Sequence, residues 1–368
     1  MTHSAAENVT PDLSFKRVLV IRLSAIGDVV FASPLIDSIK RARPDAEVYW
    51  LAESTVAPLL AHHAGLKELL IWPREEWREL FRRGRLWKLS REVMSFRKRL
   101  RAHQFDLVLD VQGLLKSALL AWMTGAKTRI GFRSKEPTGW LLTKRVPKNL
   151  EPTISSEYRG LAQKIGLETD DFSMTMPLSA VARGFAERVH DGRPYVVFCP
   201  FTTRPQKHWP EAHWRALADA ALVKGWRVVV LGAPADRPAA TGIFAEQAVE
   251  SKVGDCSLEE SAALVSHADL VIGVDTGLTH MGWAFCVPVV ALFGSTCPYR
   301  VVPGREGDIL YAELDCSPCR RRPTCGGAFD CMSALTPDAV INAAQRYLST
   351  ESVAAPVLES SETRKEAL

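Results

Sequence analysis

Short apolar runs recur along the chain, each followed by a polar turn and then by apolar residues at helical spacing. In the first half, these runs predict buried parallel strands at residues 17–22, 47–51 and 106–110. Helices are predicted at residues 28–41 and from Leu114 onward. Because strands and helices alternate, this half is predicted to be a parallel α/β sheet.

The second half repeats the pattern, with strands predicted at residues 195–199, 226–231, 268–273 and 287–293. Helices are predicted at 258–267 and 278–286, and a last one at 336–349 begins with Thr336 as N-cap. We therefore predict an α/β protein of two doubly wound domains that face each other across a cleft. The expected divisions are a flexible N-terminus (1–15), an N-terminal domain (16–185), a C-terminal domain (186–335), the last helix (336–349) and a disordered tail (350–368).

Doubly wound sheets bind ligands at the carboxyl ends of strands, where loops enter helices. The loops expected to contain the functional residues are 23–28, 111–117, 200–209, 232–236, 254–258 and 274–280. In the last of these, Asp275, Thr276 and Gly277 lead into a helix. The free amides of Thr276 and Gly277 at the positive helix end would bind a phosphate. A simple helix cap is compatible with that role.

Two further loops contain candidate groups. Thr202 and Thr203 can donate hydrogen bonds to phosphate oxygens, and Lys207 can neutralise a leaving diphosphate, although a plain surface lysine is the alternative. Asp28 follows Gly27 at a strand-to-helix turn, where it is either an N-cap or a base that deprotonates a hydroxyl nucleophile.

The composition excludes several classes of protein. Of 368 residues, 47% are hydrophobic and 24% are charged, which is typical of a globular protein and excludes disorder, collagen and a coiled coil. No window of about 18 apolar residues predicts a transmembrane helix. The N-terminus lacks a secretion signal pattern, so we expect no export. The net charge of +4 is too balanced for a general nucleic-acid binder.

Positive charge is concentrated in one stretch, residues 72–103, where eleven basic residues face four acidic ones for a local charge of +7. Aromatic residues are interleaved with them: Trp72, Trp77, Phe81, Trp87 and Phe96. This composition suits a surface that meets anionic lipid or a polyanionic acceptor. A solvated helix pair with an ordinary buried aromatic stripe is the other interpretation.

Cysteines are concentrated near the C-terminus. Four of the eight follow the spacing of Cys316, Cys319, Cys325 and Cys331, whose first pair has the separation of a metal knuckle. A structural zinc ion or cluster is one interpretation, and free, partly buried thiols are the other. Disulfides are disfavoured in a reducing cytosol.

The usual nucleotide-binding fingerprints are absent, since the chain has neither a GxxxxGK[ST] loop nor a GxGxxG turn after a strand. Four other motifs occur in order: VLVIRLSAIGDV (18–29), DVQGLLKS (110–117), TTR…KHWP (202–210) and VDTGLTH (274–280). Together they resemble the ADP-heptose:lipopolysaccharide heptosyltransferases of glycosyltransferase family 9, from about residue 17 to 349. The TTR…KHWP loop is closer to the type I enzymes, and the cysteine-rich segment is more like type II.

The resemblance implies a GT-B fold, with the acceptor in the N-terminal domain and the nucleotide-sugar in the C-terminal one. It implies inverting, metal-independent heptose transfer from ADP-heptose, without a cofactor, to Kdo-lipid A or heptosyl-Kdo-lipid A. The enzyme would be cytoplasmic and peripherally bound to the inner membrane. A monomer is the favoured oligomeric state, and no nucleic-acid partner is expected.

Site residues are carried over by position. The implied catalytic residues are Asp28 and Lys207. The implied donor-binding residues are Thr202, Thr203, Lys207, Asp236 (ribose), Cys256 (adenine), Asp275, Thr276, Gly277 and His280. The basic stretch would meet the acceptor together with Gln112, Lys116, Arg74, Arg129 and Arg133. Two other functions stay open: a GT-B enzyme with another nucleotide-sugar for cell-surface polysaccharide, and a non-catalytic nucleotide-sugar-binding protein.

Overall fold

Two six-stranded parallel sheets form the centre of the molecule in the computed structural model. The structure describes residues 15–189, 193, 195–296, 298–299 and 302–348. The predicted flexible N-terminus up to residue 14 and the predicted tail at 350–368 lie outside the described residues.

The first sheet has the strand order β3-β2-β1-β4-β5-β6. Its strands are β1 (Arg17–Ile21), β2 (Glu47–Glu53), β3 (Leu66–Trp72), β4 (Leu107–Asp110), β5 (Thr128–Phe132) and β6 (Lys144–Val146). The helices of this half are α1 (Ile26–Ala32), α2 (Pro34–Ala42), α3 (Arg74–Arg82), α4 (Leu86–Ala102), α5 (Leu115–Met123) and α6 (Ser156–Lys164).

The second sheet has the order β12-β11-β10-β7-β8-β9. Its strands are β7 (Tyr195–Cys199), β8 (Arg227–Val230), β9 (Glu250–Ser251), β10 (Leu270–Val274), β11 (Val289–Phe293) and β12 (Gly307–Tyr311). The helices are α7 (Ala180–Glu187), α8 (Glu211–Val223), α9 (Arg237–Ile243), α10 (Leu258–Ser266), α11 (Gly277–Ala284), α12 (Asp330–Ser333) and α13 (Pro337–Gln345).

Both sheets have the same topology, since each reads 3-2-1-4-5-6 when its strands are numbered from its own first strand. In this order the second and third strands lie on one side of the first strand, and the fourth to sixth strands lie on its other side. Ligands bind where the order reverses, at the carboxyl ends of the first and fourth strands. The switch points therefore lie between β1 and β4 and between β7 and β10. The loops at the two switch points contain Asp28 and Gln112 in the first sheet, and Lys207 and Asp275 in the second.

The predicted fold class is confirmed, with two differences in the helices. The helix predicted at residues 28–41 is two helices, because Pro34 lacks an amide hydrogen and starts α2 instead of continuing α1. Helix α1 also begins earlier than expected, at Ile26 with Ala25 as N-cap, so that Asp28 lies in its first turn. At α13 the prediction is confirmed, because Thr336 is the N-cap and its hydroxyl accepts a hydrogen bond from the amide of Ala339 at 3.2 Å.

The two lobes are in direct contact where α1 of the first meets α11 of the second. Glycines permit this contact. A Cβ atom on Gly27 would lie only 2.7 Å from Cδ2 of His280, and one on Gly277 would overlap Ile26. A continuous apolar core extends through both lobes and includes Val18 and Val197. The N-terminal ends of the two helices are therefore held together across the cleft.

Candidate functional site

Asp28 lies on the first lobe, in the first turn of α1. Its Oδ2 atom contacts Nη2 of the Arg22 guanidinium and accepts a hydrogen bond from the amide of Ala25 at 3.4 Å. The side chain of Asp28 is 42% exposed, whereas that of Arg22 is 6% exposed. The Asp28 carboxylate is thus bound by the buried guanidinium of Arg22, and it remains partly exposed at the cleft.

Lys207 lies on the opposite lobe, in the loop after β7. Its Nζ atom is 2.5 Å from Oδ2 of Asp275 and donates to the main-chain oxygen of the same residue at 3.3 Å. The other carboxylate oxygen of Asp275 is 3.0 Å from Nε2 of His280, and Thr296 donates its hydroxyl hydrogen to Oδ2 at 2.5 Å. Asp275 thereby joins the lysine loop to the first turn of α11.

The electrostatics of this cluster favour an ionised Asp275. Burial by itself opposes ionisation, but the hydrogen bond from His280 and the charge of Lys207 outweigh it. Together they hold the pKa of the Asp275 carboxyl well below its usual range. Lys207 is 15% exposed, so its ammonium group faces a partly desolvated space where electrostatic interactions are stronger than in water.

The two lobes bring their charged groups to one place. The His280 ring is buried between both lobes, stacked on Trp283 at 5.8 Å and tilted against Phe31 of α1 at 4.7 Å. Burial raises the pKa of the neighbouring Tyr299, and the charges of both Asp28 and Asp275 raise it further. Asp28 and the Lys207–Asp275 pair therefore flank the same interlobe space.

Hydrogen bonds also hold the other residues of the loop that contains Lys207. The main-chain oxygen of Thr202 is 2.8 Å from Nε2 of His208, and the buried Gln206 donates to the main-chain oxygen of Arg320 at 3.2 Å. Thr202 is half-buried and Thr203 is exposed. The cysteine-rich segment that contains Arg320 thus helps to position the loop of Lys207.

Thr276 and Gly277 occupy the predicted places at the start of α11. Thr276 is the N-cap residue and Gly277 is the first helical residue. The first amides of a helix have no partner within it, so this turn presents donors beside Lys207. The N-cap interpretation is therefore correct for the position of Thr276, although its side chain does not cap.

Asp236 and Cys256 follow β8 and β9 at the same edge of the second sheet. The Oδ2 atom of Asp236 accepts a hydrogen bond from the amide of Ala233 at 2.8 Å, which fixes the turn after β8. Cys256 is half-buried, and burial raises the pKa of its thiol to about 11. At neutral pH this thiol is protonated, so it presents a small, nearly apolar surface.

On the first lobe, Arg74 and Lys116 converge on one carboxylate. Glu53, at the end of β2, is 3.1 Å from Nη1 of Arg74 and 3.5 Å from Nζ of Lys116. Lys116 also lies 5.6 Å from the ring centre of Trp72. A cavity of about 540 Å³ opens here at the carboxyl ends of β2 and β3, and Glu53, Trp72, Arg74 and Arg99 are among its lining residues. Opposed charges beside an aromatic face suit a polar, anionic saccharide.

The other predicted acceptor residues are placed differently. The Gln112 side-chain oxygen accepts from the amide of Leu23 at 2.9 Å, so this residue supports the loop before α1. Arg133 follows β5 at the cleft edge and is exposed. The prediction for Arg129 is not supported, because its guanidinium donates to the main-chain oxygens of Leu141 at 2.7 Å and of Ala126. It has a structural role near the amino end of β5.

The basic stretch forms the helix pair α3 and α4. Trp77 packs edge-on against Trp72 and Phe96 at 6.1 and 5.5 Å, as the buried-stripe interpretation expects. Phe81 and Trp87 are instead 66% and 78% exposed, among exposed arginines. The aromatic stripe is thus packed as expected at Trp72, Trp77 and Phe96, and contact of the exposed part with anionic lipid or a polyanionic acceptor stays a prediction. Over the described residues, none of the helices combines the length and apolarity required to cross a membrane.

The cysteine cluster shows no metal-binding geometry in the part of the chain that the structure describes, where no three or more His, Cys, Asp or Glu side chains are arranged in a way that suits a metal ion. Cys316 is exposed and Cys331 is buried. The structural-zinc interpretation and the free-thiol interpretation both stay predictions.

Asp110, at the end of β4, is a buried carboxyl that the sequence did not single out. Its Oδ1 atom accepts from the amides of Gln112 at 3.1 Å and Gly113 at 3.2 Å. Burial raises its pKa to about 6, and hydrogen bonds from Ser117 and the two amides limit that rise. Its ionisation in the folded protein therefore costs stability.

This cost gives a pH-dependent prediction. The stability cost of ionising Asp110 is absent at a pH below ~3.9, the carboxyl pKa in the unfolded protein, and is complete at a pH above the carboxyl pKa in the folded protein. The free energy of unfolding therefore falls as the pH rises from the first pKa to the second. In Asp110→Asn, which keeps an acceptor oxygen, we expect the stability relative to the original protein to increase by ~1–3 kcal/mol from pH 4 to pH 8. Denaturant melts at both pH values measure it, and an equal difference at both would contradict it.

Two Rossmann-like lobes that meet across a cleft define the GT-B fold class. The model of glycosyltransferase family 9 (heptosyltransferase) matches residues 93–328. The chain therefore belongs to this family, and the resemblance inferred from the sequence is confirmed.

Known relatives agree with this assignment. Lipopolysaccharide heptosyltransferase 1 of Pseudomonas aeruginosa is 32% identical over 317 residues, which cover 84% of this chain and 87% of that protein. Lipopolysaccharide heptosyltransferase 2 of Salmonella typhimurium is 25% identical over 92% of this chain and 100% of that one. The solved structure of E. coli heptosyltransferase WaaC with ADP-2-deoxy-2-fluoro heptose has a TM-score of 0.69 and 27% identity, and the match covers 90% of this chain and 99% of that chain.

Proposed function

We propose that this enzyme transfers heptose from ADP-heptose to the lipopolysaccharide inner core, with inversion at the anomeric carbon and without a catalytic metal. The observation that supports this most is the placement of Asp28 on one lobe and of Lys207 with α11 on the other, around one interlobe space. The proposed acceptor is Kdo-lipid A or heptosyl-Kdo-lipid A, and the relatives of higher identity are named heptosyltransferase 1.

The reaction needs a base on one side of the anomeric carbon and stabilisation of the leaving group on the other. Asp28 removes the proton from the acceptor hydroxyl, whose oxygen then forms a bond to the anomeric carbon. The bond between that carbon and the diphosphate oxygen breaks, and ADP leaves with the electron pair. Lys207 and the amides of Thr276 and Gly277 stabilise the charge that develops on ADP.

The remaining donor residues have supporting roles in this proposal. Thr202 and Thr203 donate hydrogen bonds to the diphosphate, and the carboxylate of Asp236 accepts hydrogen bonds from the ribose hydroxyls. The protonated thiol of Cys256 packs against the adenine. His280 acts through Asp275, since its ring is buried and bonded to that carboxylate.

The acceptor would bind in the cavity beside Glu53, with its anionic groups near Arg74 and Lys116 and at Arg133 on the cleft edge. Helices α3 and α4 would lie against the cytoplasmic face of the inner membrane, where exposed Phe81 and Trp87 meet lipid and the surrounding cations meet anionic groups. In this proposal the enzyme is cytoplasmic and binds peripherally to that membrane.

A product assay tests the proposal. The protein is incubated with ADP-heptose and Kdo-lipid A, and the product is examined by mass spectrometry for the mass of one added heptose; heptosyl-Kdo-lipid A is tested in parallel. Nuclear magnetic resonance of the product reports the anomeric configuration, and activity in the presence of a chelator tests independence from metal. Turnover with UDP- or GDP-sugars alone would contradict the heptose assignment.

The acceptor site predicts a selective effect of salt. Raising the ionic strength from about 0.01 to about 0.1 M shortens the Debye length from ~30 to ~10 Å, which screens exposed charges. We expect the acceptor KM to rise several-fold while the KM for ADP-heptose changes little, because Lys207 is partly buried. Initial rates at a series of salt concentrations measure both constants.

Matched variants test the origin of this salt effect. Arg85→Gln removes one exposed cation at the turn between α3 and α4, and should reduce the salt dependence of the acceptor KM. Lys127→Gln removes an exposed cation beside the amino end of β5, away from the cleft, and should not. Equal effects at the two places would show that the basic helix pair has no specific part in acceptor binding.

A further inference from the structure

We propose that Arg22 is a positioning residue for the base, holding one oxygen of the Asp28 carboxylate so that the other faces the acceptor hydroxyl. This inference rests on the proposed transferase function and assigns a role to a residue outside the donor and acceptor sites. Arg22 does not touch substrate in this proposal, because its side chain is 6% exposed.

The guanidinium of Arg22 is fixed independently of Asp28. Its Nη1 atom donates to the main-chain oxygen of Val111, after β4, at 2.8 Å. The plane of Tyr158 on α6 lies beneath it, with the guanidinium carbon 5.9 Å from the ring centre. Contacts from two other elements therefore determine where this cation lies, and the carboxylate must adjust to it.

The contacts of Asp28 leave its two oxygens unequal. Arg22 Nη2 and the amide of Ala25 both bind Oδ2, which orients the carboxylate plane. The Oδ1 atom is then directed to a defined position at the cleft edge, as a base needs if it is to meet a hydroxyl at hydrogen-bond distance. A positioned group of this kind contributes strongly to rate, since a displacement of about 1 Å costs ~10²-fold in turnover.

Three variants test the inference with the full-length enzyme. Arg22→Met should lower kcat by ~10–10²-fold and leave the KM for ADP-heptose nearly unchanged. Arg22→Lys keeps the charge but loses the two-pronged geometry, so kcat should fall less than in Arg22→Met. Arg17→Met is the control, because Arg17 begins β1, the strand that Arg22 follows, and pairs with Glu47 at 3.2 Å on the surface.

A double-mutant cycle separates positioning from folding. In an Asp28→Asn background, Arg22→Met should cause little further loss of kcat, since no base remains to be oriented. A fully additive loss, or a rise in the KM for ADP-heptose as large as the fall in kcat in Arg22→Met, would overturn the inference. If Arg22→Met does not fold, the cycle is run with Arg22→Lys and judged by the same additivity.

The failure of the proposed function would look different. An enzyme that used another nucleotide-sugar would contradict the heptose assignment alone, and the Arg22 variants would then be compared with that donor. A protein that transferred no sugar would overturn both.

Discussion

Asp28→Ala and Asp28→Asn should lower kcat by ~10²–10⁴-fold while the affinity for the ADP-sugar stays almost unchanged. The carboxylate is on the lobe opposite to Lys207, so its loss removes the base and leaves the diphosphate contacts in place. In the Asn variant the side-chain oxygen still accepts from Arg22 and Ala25, so that the geometry of α1 is retained. Single-turnover rates and calorimetric titration with ADP separate the two quantities.

A matched control concerns the next helix. Asp37 lies in the first turn of α2, where its carboxylate accepts a hydrogen bond from the Thr175 hydroxyl at 2.9 Å. Asp37→Asn should change stability without a comparable loss of turnover. If Asp28→Asn weakened ADP binding and left kcat intact, Asp28 would be a structural residue of the α1 N-terminus, and the proposed mechanism would be wrong.

The sequence predicted most of the inner strands and missed all four edge strands, for a physical reason. Strands β1, β4, β7 and β10 are covered on both faces, so they appear as continuous apolar runs. Four of the strands that were not predicted, β3, β6, β9 and β12, are sheet edges. In β3 the exposed Lys67 and Glu68 interrupt the apolar pattern on which the prediction depends.

The strand β5 was missed for a different reason. It lies inside the sheet, yet it is short and contains Gly131, which is unfavourable in strand propensity. The structure explains the glycine, because a Cβ atom there would lie 2.9 Å from the main-chain oxygen of Asp110. Close approach of two backbones is a tertiary property that no local pattern reveals.

The same distinction applies to the site. The loops at the switch points were predictable, because fold class and strand order determine where they lie. The side chains that contact the residues of these loops were not predictable from the sequence. Arg22 ends an otherwise apolar strand, which was a visible signal, but its contact with Asp28 depends on α1 starting two residues earlier than expected. Glu53 and Thr296 have no motif, and their roles follow from distances alone.

Lys207→Met should lower kcat by ~10²–10³-fold, because the ammonium group stabilises the leaving diphosphate in a partly desolvated space. It should also reduce the free energy of unfolding by about 1–3 kcal/mol, since Asp275 loses a charged partner while remaining buried. Lys207→Arg should recover most of the stability. It should recover less of the turnover, because a planar guanidinium reaches the diphosphate differently.

The pH dependence of this loss follows from the state of Asp275. The pKa of this carboxyl in the folded protein is held below its unfolded value of ~3.9, so the stabilisation is present above that value and is lost only as the pH falls through the lower, folded one. The contribution of the ionised Asp275 carboxylate to the stability of the original enzyme should therefore be constant from about pH 5 to pH 8. Thermal melts across that range measure it.

A double variant separates the two effects of Lys207. Lys207→Met with Asp275→Asn removes the unpaired carboxylate and keeps an oxygen for His280 and Thr296, so stability should return toward the original value. Turnover should stay low, because the leaving group still lacks its cation. Recovery of turnover together with stability would mean that Lys207 acts only by holding Asp275. The charge on ADP would then be stabilised by the amides of α11 alone.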